Sequence, residues 1–181
     1  MTSENPGFSP KRFAIIGAGP VGCIVGAFLS KGGYDVTLCD VIRELVDPAA
    51  TTGITIEGAE QLHQKVTRTC HSVDELPQYK PDVIFITVKA NALPLIMSAI
   101  EEFYKEGMYV ISWQNGIDTE LEVSKVLGDK PVMRGVVNWG CGLKGPCHVV
   151  MPFHHPPHYL QELAPESAHA AKAVAKVLTE C

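Results

Sequence analysis

Gly17-Ala18-Gly19-Pro20-Val21-Gly22 is the segment of this 181-residue chain whose spacing most directly implies chemistry. A glycine turn leading into a helix presents unpaired backbone amides to an anion, and the helix dipole adds to their pull. Gly17 permits a sharp turn, Gly19 leaves no Cβ between backbone and phosphate, and Gly22 lets the helix lie close against the preceding strand. The apolar run Arg12–Ile16 precedes the motif, Cys23–Leu29 follows it, and a second run, Asp35–Cys39, ends in Asp40. In that context the glycines, with Ala18, Pro20 and Val21 between them, read as a cradle for the pyrophosphate of a dinucleotide.

Two more sites lie where open α/β sheets bind ligands, beyond the carboxyl ends of strands. One very apolar run reaches Val88 and then Lys89-Ala90-Asn91; another ends in Trp113-Gln114-Asn115-Gly116. A lysine there needs an anionic partner or water, so Lys89 stands either beside a bound carboxylate or phosphate, or as a solvated strand end. Asn115 can both donate to and accept from a carboxamide or hydroxyl, although Asn-Gly is also a common turn dipeptide. Asp40 lies eighteen residues after Gly22, near the spacing of the acid that binds an unphosphorylated ribose and repels a 2′-phosphate. Arg43, three residues on, could offset that repulsion, so NAD and NADP both stay open.

Alternating strand and helix signals position these residues on a doubly wound, mostly parallel α/β sheet. Strands are expected at Arg12–Ile16, Asp35–Cys39, 82–88 and Tyr109–Ser112, and helices near 21–31, 92–104, 118–127 and 165–179, with Asp118 capping the third. Segments 53–58 and 65–70 read as a small antiparallel excursion, with a short helix at 72–76. Segments 132–139 and 148–151 read as two strands pairing across 140–146. The first eleven residues read as a disordered lead-in to a single domain over 12–181, without the apolar stretch of a signal peptide.

A net charge of −5 with no basic stripe argues against nucleic-acid and anionic-membrane partners, and no apolar run is long enough to span a bilayer. The six cysteines form no C-x-x-C pair and read as structural thiols in a cytoplasmic, reduced chain. His154, His155 and His158 could bind zinc. However, Pro156-Pro157 prevents a regular helix and no acid or thiol nearby completes a set, so the expectation is an exposed, solvated loop with no metal. Trp113 and Trp139 read as packing groups at strand ends.

Gly17-x-Gly19-x-x-Gly22, Thr87-Val88-Lys89-Ala90 and Gln114-Asn115-Gly116, with Gly135-Val136 and the glycine-containing hairpin at 140–145, together resemble the Rossmann-type nucleotide domain of ketopantoate reductases (2-dehydropantoate 2-reductases). The resemblance runs from Arg12 to the end. It implies hydride transfer from NADPH to a small 2-keto acid, ketopantoate, giving pantoate for pantothenate and coenzyme A synthesis. It also implies that Lys89 and Asn115 are catalytic residues near nicotinamide and substrate.

Three departures accompany it. Family members carry a helical second domain that supplies a general-acid lysine and a substrate-holding glutamate. This chain ends at Cys181, where that domain should begin, so it is expected to bind nucleotide but reduce ketopantoate poorly. Asp40 stands where many relatives place an arginine. The histidine cluster, with Gln161 in place of a glycine, is foreign to the family. Without the second domain, apolar surface around the last helix points to self-association, for example as a homodimer. The alternatives are another two-domain hydroxyacid dehydrogenase or a non-catalytic nucleotide-sensing module.

Overall fold

The computed structural model describes residues 7–181. Val83–Ile86, Tyr109–Ser112 and four of the five residues of Arg12–Ile16 are buried, the signature of strands covered on both faces. In chain order the elements are β1 (Arg12–Ile16), α1 (Pro20–Lys31), β2 (Asp35–Cys39), the one-turn helices α2 (Arg43–Val46) and α3 (Pro48–Thr51), β3 (Ile54–Gly58), β4 (Leu62–Gln64) and β5 (Arg68–Cys70). They continue as β6 (Val83–Ile86), α4 (Leu93–Phe103), β7 (Tyr109–Ser112), α5 (Thr119–Leu127), β8 (Val132–Val136), β9 (Trp139–Gly145), β10 (His148–His154), β11 (Tyr159–Glu162) and α6 (Ala168–Glu180).

The main sheet has the order β11-β8-β7-β6-β1-β2-β5. All its neighbours pair in parallel except the edge strand β11, which runs antiparallel to β8. The chain winds outward from β1 through β2 to β5, then returns to β6 and winds the other way, so the crevice between β1 and β6 is the switch point. One core lies on the α1 and α6 face, built on Ile15, Ile24, Leu38, Phe85 and Val174. A second lies on the α4 and α5 face around Ile84, Ile86, Ile100 and Val123. Leu93, Ile96, Met97 and Ile100 form the buried stripe of α4 at the three- and four-residue spacing of an amphipathic helix. At the opposite edge the Asp82 carboxylate pins β1 to β6, accepting from Lys11 and Arg12 amides at 2.9 Å each and from the Arg12 guanidinium at 2.6 Å. Burial opposes its ionisation, but these donors outweigh burial and hold the carboxyl below its ordinary range.

Several expectations are corrected. Of segment 65–70, only Arg68–Cys70 is a strand, and it extends the main sheet in parallel beside β2. The antiparallel partner of β3 is β4, at 62–64. Segment 132–139 divides: β8 belongs to the main sheet, while Trp139 starts β9, which pairs with β10. β10 also pairs in parallel with β3, so the excursion is a four-stranded sheet of order β4-β3-β10-β9, joined by partners that sequence order keeps far apart. Asp118 has left-handed backbone (φ +61°) and no side-chain hydrogen bond capping α5. Residues 1–6 of the expected lead-in lie outside the described residues. In its remainder Pro10 is buried and Phe8 packs edge-on against Tyr109 at 4.8 Å, so that part is seated on the domain.

Among the described residues no helix is long and apolar enough to cross a membrane. All six thiols are free and four are buried. Hydrogen bonding to Cys147 and burial push the Cys23 thiol far up, and Cys70 and burial do the same to Cys39, so both are poor nucleophiles.

Candidate functional site

The glycine turn leaves β1 at the switch point. Gly17 has φ +114°, and its amide donates to Cys39 O at 2.8 Å, tying the turn to the end of β2. A Cβ on Gly17 would lie 2.8 Å from Thr87 Oγ1, and one on Gly22 would overlap the Gly17 carbonyl oxygen. Gly19 is the opposite case: a Cβ there meets nothing within 4 Å. The inward faces of the turn are therefore sealed by protein, while its middle opens outward beside the start of α1. That is the geometry an anion cradle needs. Cys23 N donates to Gly19 O at 3.0 Å, beginning the helix, and Pro20, at the first helical position, lacks the donor that would go unpaired there.

Asp40 sits against this cradle. Its carboxylate accepts from the Ala18 amide at 2.7 Å and from the Ile42 amide at 3.0 Å. It thus holds the glycine turn and the β2 exit in one arrangement and places a negative charge at the cradle's side. Arg43 is exposed in α2, with no ion pair recorded among the described residues.

The two strand ends are locked together by side chains. Thr87 Oγ1 donates to Ile16 O at 2.9 Å, which binds the β6 exit to the glycine turn. Gln114 is buried, and its Nε2 donates to Val88 O at 2.6 Å, which clips the β7 exit to the β6 exit. Lys89 and Asn115 each follow a clipped residue by one position, and both are exposed at the carboxyl edge. The structure thus brings the glycine turn, Asp40, Val88, Lys89 and Asn115 to one rim.

A cavity of about 500 Å³ lies elsewhere, on the α1 and α6 face, lined by Phe28, Trp113, Trp139, Leu160 and Leu178 among others. Of the rim segments it touches only the residue before Gln114. Trp113 packs against Phe85 (5.2 Å between ring centres) and Gly135, and Trp139 packs against His158 (4.7 Å), so both indoles act as packing groups.

Only part of the histidine segment is the expected solvated loop: His155, Pro156 and Pro157 are exposed, whereas His154, in β10, and His158 are half-buried and paired. Asn138 N donates to His158 Nδ1 at 3.0 Å, which puts the ring proton on Nε2, 2.8 Å from His154 Nε2. His154 in turn donates from Nδ1 to Glu60 at 2.8 Å. With these tautomers, assigned from the hydrogen-bond network, neither imidazole offers a lone pair outward. Burial and the His154 ring depress the His158 pKa below its ordinary value. The unfolded chain then takes up a proton where the folded one does not, so stability falls as pH drops below about 6.5, until the depressed native value is passed. His158→Asn keeps an acceptor for the Asn138 amide and removes the titration. Its melting temperature is expected to fall less than that of the wild type between about pH 7 and about pH 5. Equal losses would clear His158 of the effect.

The sequence family described as ketopantoate reductase PanE/ApbA matches residues 13–163. The chain belongs to this family. It is 32% identical over 135 residues to a 2-dehydropantoate 2-reductase of Pyrococcus horikoshii, which covers 75% of this chain and 42% of that protein. It is 30% identical over 175 residues to the 2-dehydropantoate 2-reductase of Lactococcus lactis subsp. lactis, covering 93% of this chain and 54% of the relative. The chain therefore spans about half the length of the curated relatives it matches. Among solved structures, D-mandelate dehydrogenase in a ternary structure with NADH and anilino(oxo)acetate superposes with a TM-score of 0.78 at 26% identity, over 93% of this chain and 54% of that one.

Within this family member, sequence reasoning missed the side chains that hold the site: Thr87, Gln114 and Arg134. Thr87 and Gln114 stood inside the quoted motifs, but which backbone oxygen each reaches depends on which strands become neighbours. Arg134 gave one faint signal, a lone cation amid the otherwise uncharged run 132–139.

Proposed function

We propose that this chain is the nicotinamide-dinucleotide domain of a 2-keto acid reductase, with Gly17–Gly22 gripping the pyrophosphate. The observation that carries the reading is the contrast within the turn: solid packing behind Gly17 and Gly22, open space at Gly19. The dinucleotide supplies a hydride when bound. Asn115 orients the carboxamide of nicotinamide or the substrate hydroxyl, and Lys89 places positive charge beside the substrate carboxylate and the alkoxide that develops at its carbonyl. Thr87 and Gln114 hold these two in register. Ketopantoate is the favoured substrate because the relatives matched over most of this chain carry that name. The likeness to D-mandelate dehydrogenase supports a second reading, a different 2-oxo acid. The rim residues assigned above include no proton donor, so the 181-residue chain is expected to reduce ketopantoate at least about 100-fold more slowly than a reductase that supplies one, the scale of a general acid.

NADH is the favoured partner. Asp40 already holds its charge at the cradle's side, 2.7 Å from the Ala18 amide, where a 2′-phosphate would meet it. The D-mandelate dehydrogenase structure holds NADH as well. Titration of the purified chain with NADH and NADPH, followed by reduced-nicotinamide fluorescence, is expected to give tighter binding of NADH. NADPH binding about tenfold tighter, a difference of about 1.4 kcal/mol, would discard the Asp40 argument. Binding of neither at millimolar concentration would discard the cradle itself.

A further inference from the structure

Arg134 is the best-anchored cation near the rim, and the proposed chemistry gives it no task. It projects from β8 toward α5, with its side chain 19% exposed. One guanidinium nitrogen donates to Gly116 O at 2.9 Å; the other donates to Thr119 Oγ1 and lies 3.3 Å from the Glu120 carboxylate. Thr119 Oγ1 is also 2.8 Å from Ser112 Oγ, at the end of β7. Arg134 is thus bound to both sides of the loop between β7 and α5.

That loop needs an anchor. Two of its members, Gly116 (φ +131°) and Asp118 (φ +61°), hold left-handed backbone, and residues 115–118 are all exposed. Gly116, whose carbonyl Arg134 grips, directly follows Asn115. A guanidinium is a planar fork that reaches a carbonyl, a hydroxyl and a carboxylate at once; an ammonium cannot span them.

We propose that Arg134 is a positioning residue: by hooking the Gly116 carbonyl it fixes the Asn115 amide toward the nicotinamide end of the bound dinucleotide. This rests on the role given to Asn115 above.

ADP-ribose separates the two claims, because it carries the adenosine and pyrophosphate but no nicotinamide. Asn115→Ala is expected to weaken NADH about tenfold, the scale of a lost hydrogen bond, and to leave ADP-ribose within about twofold. Arg134→Met combined with Glu120→Gln, which avoids stranding a carboxylate, is expected to show the same selective loss. Adding Asn115→Ala to that pair should weaken NADH by less than about a further twofold, because both changes remove one interaction. Glu120→Gln alone keeps the hook on Gly116 and should leave both affinities unchanged. Arg134→Lys, which preserves charge and secures folding, is expected to lose NADH selectively as well. Equal loss of both ligands, or losses additive with Asn115→Ala, would overturn the role of Arg134 while leaving that of Asn115 intact. If Asn115→Ala leaves the NADH to ADP-ribose ratio unchanged, the reading of Asn115 falls, and Arg134's role with it.

Discussion

Alanine at Gly22 is expected to push α1 away from the glycine turn and abolish nucleotide binding, whereas alanine at Gly19 leaves the fold intact and weakens only the nucleotide. At Gly22 the added carbon overlaps the Gly17 carbonyl oxygen and comes within 2.8 Å of Thr87 Oγ1. A backbone oxygen cannot rotate aside, so helix or turn must move. Overpacking of that kind costs about 3 kcal/mol, and for a domain of this size lowers the melting temperature by about 6–12 °C. Since the displaced atoms are the cradle itself, NADH affinity should fall at least about 100-fold, or roughly 2.7 kcal/mol. At Gly19 the same methyl meets open space, and φ of −70° is ordinary for alanine. Its melting temperature should match the wild type, so any loss of affinity there reports a methyl in the space of the ligand. Thermal melts and NADH titrations of the two variants make the test. A Gly19→Ala protein with unchanged NADH affinity would show that the pyrophosphate lies elsewhere.

The second large effect is expected at Asp40. Asp40→Asn removes the charge but keeps a carbonyl oxygen for one of the two amides, Ala18 or Ile42, that the carboxylate now serves. A 2′-phosphate a few ångströms from a carboxylate at a protein surface is repelled by about 1–3 kcal/mol. The ratio of NADPH to NADH affinity should therefore rise about tenfold to a hundredfold, with the exposed Arg43 no longer opposed by a nearby carboxylate in pairing with the phosphate. Stability should fall by about 1 kcal/mol, because one charge-assisted hydrogen bond is lost. Arg43→Ala in the Asp40→Asn background should reverse most of the NADPH gain. If the ratio does not move in Asp40→Asn, the carboxylate faces the protein alone and takes no part in choosing the coenzyme.

The parts of this domain that local chemistry determines were legible in the sequence. The β1–α1 unit could be read because three glycines and two apolar runs leave few other ways to bury Phe13–Ile16 and Cys23–Leu29. Buried runs such as Val83–Ile86 announced themselves by composition, and Lys89 and Asn115 by standing at their ends. What was not legible depends on partners distant in the chain. Leu62–Gln64 and Arg68–Cys70 are too short to reveal which sheet each joins, and their burial is mixed. The histidine segment looked like a solvated loop because its rings are polar. Yet His154 donates to Glu60, His158 accepts from the Asn138 amide, and the two rings pair with each other; Asn138 and Glu60 lie far from them in sequence. Thr87, Gln114 and Arg134 act on oxygens of neighbouring strand ends, loops and a helix start, which spacing alone does not reveal.

The parallel ladder between β3 and β10 has a bearing on how the chain is made. Thr55 aligns with His148, 93 positions later. Until the ribosome has delivered that later strand, the β3 edge of the β3–β4 ribbon stays bare, and a two-stranded ribbon is marginal in water on its own. α1, which rests against this sheet, also waits for part of its cover. Closing so long a loop makes assembly slow and leaves an interval in which the bare edge can pair with a neighbouring nascent chain. The glycine elbow is synthesised well before β10, yet its helix is fully clothed only when the second half of the domain arrives.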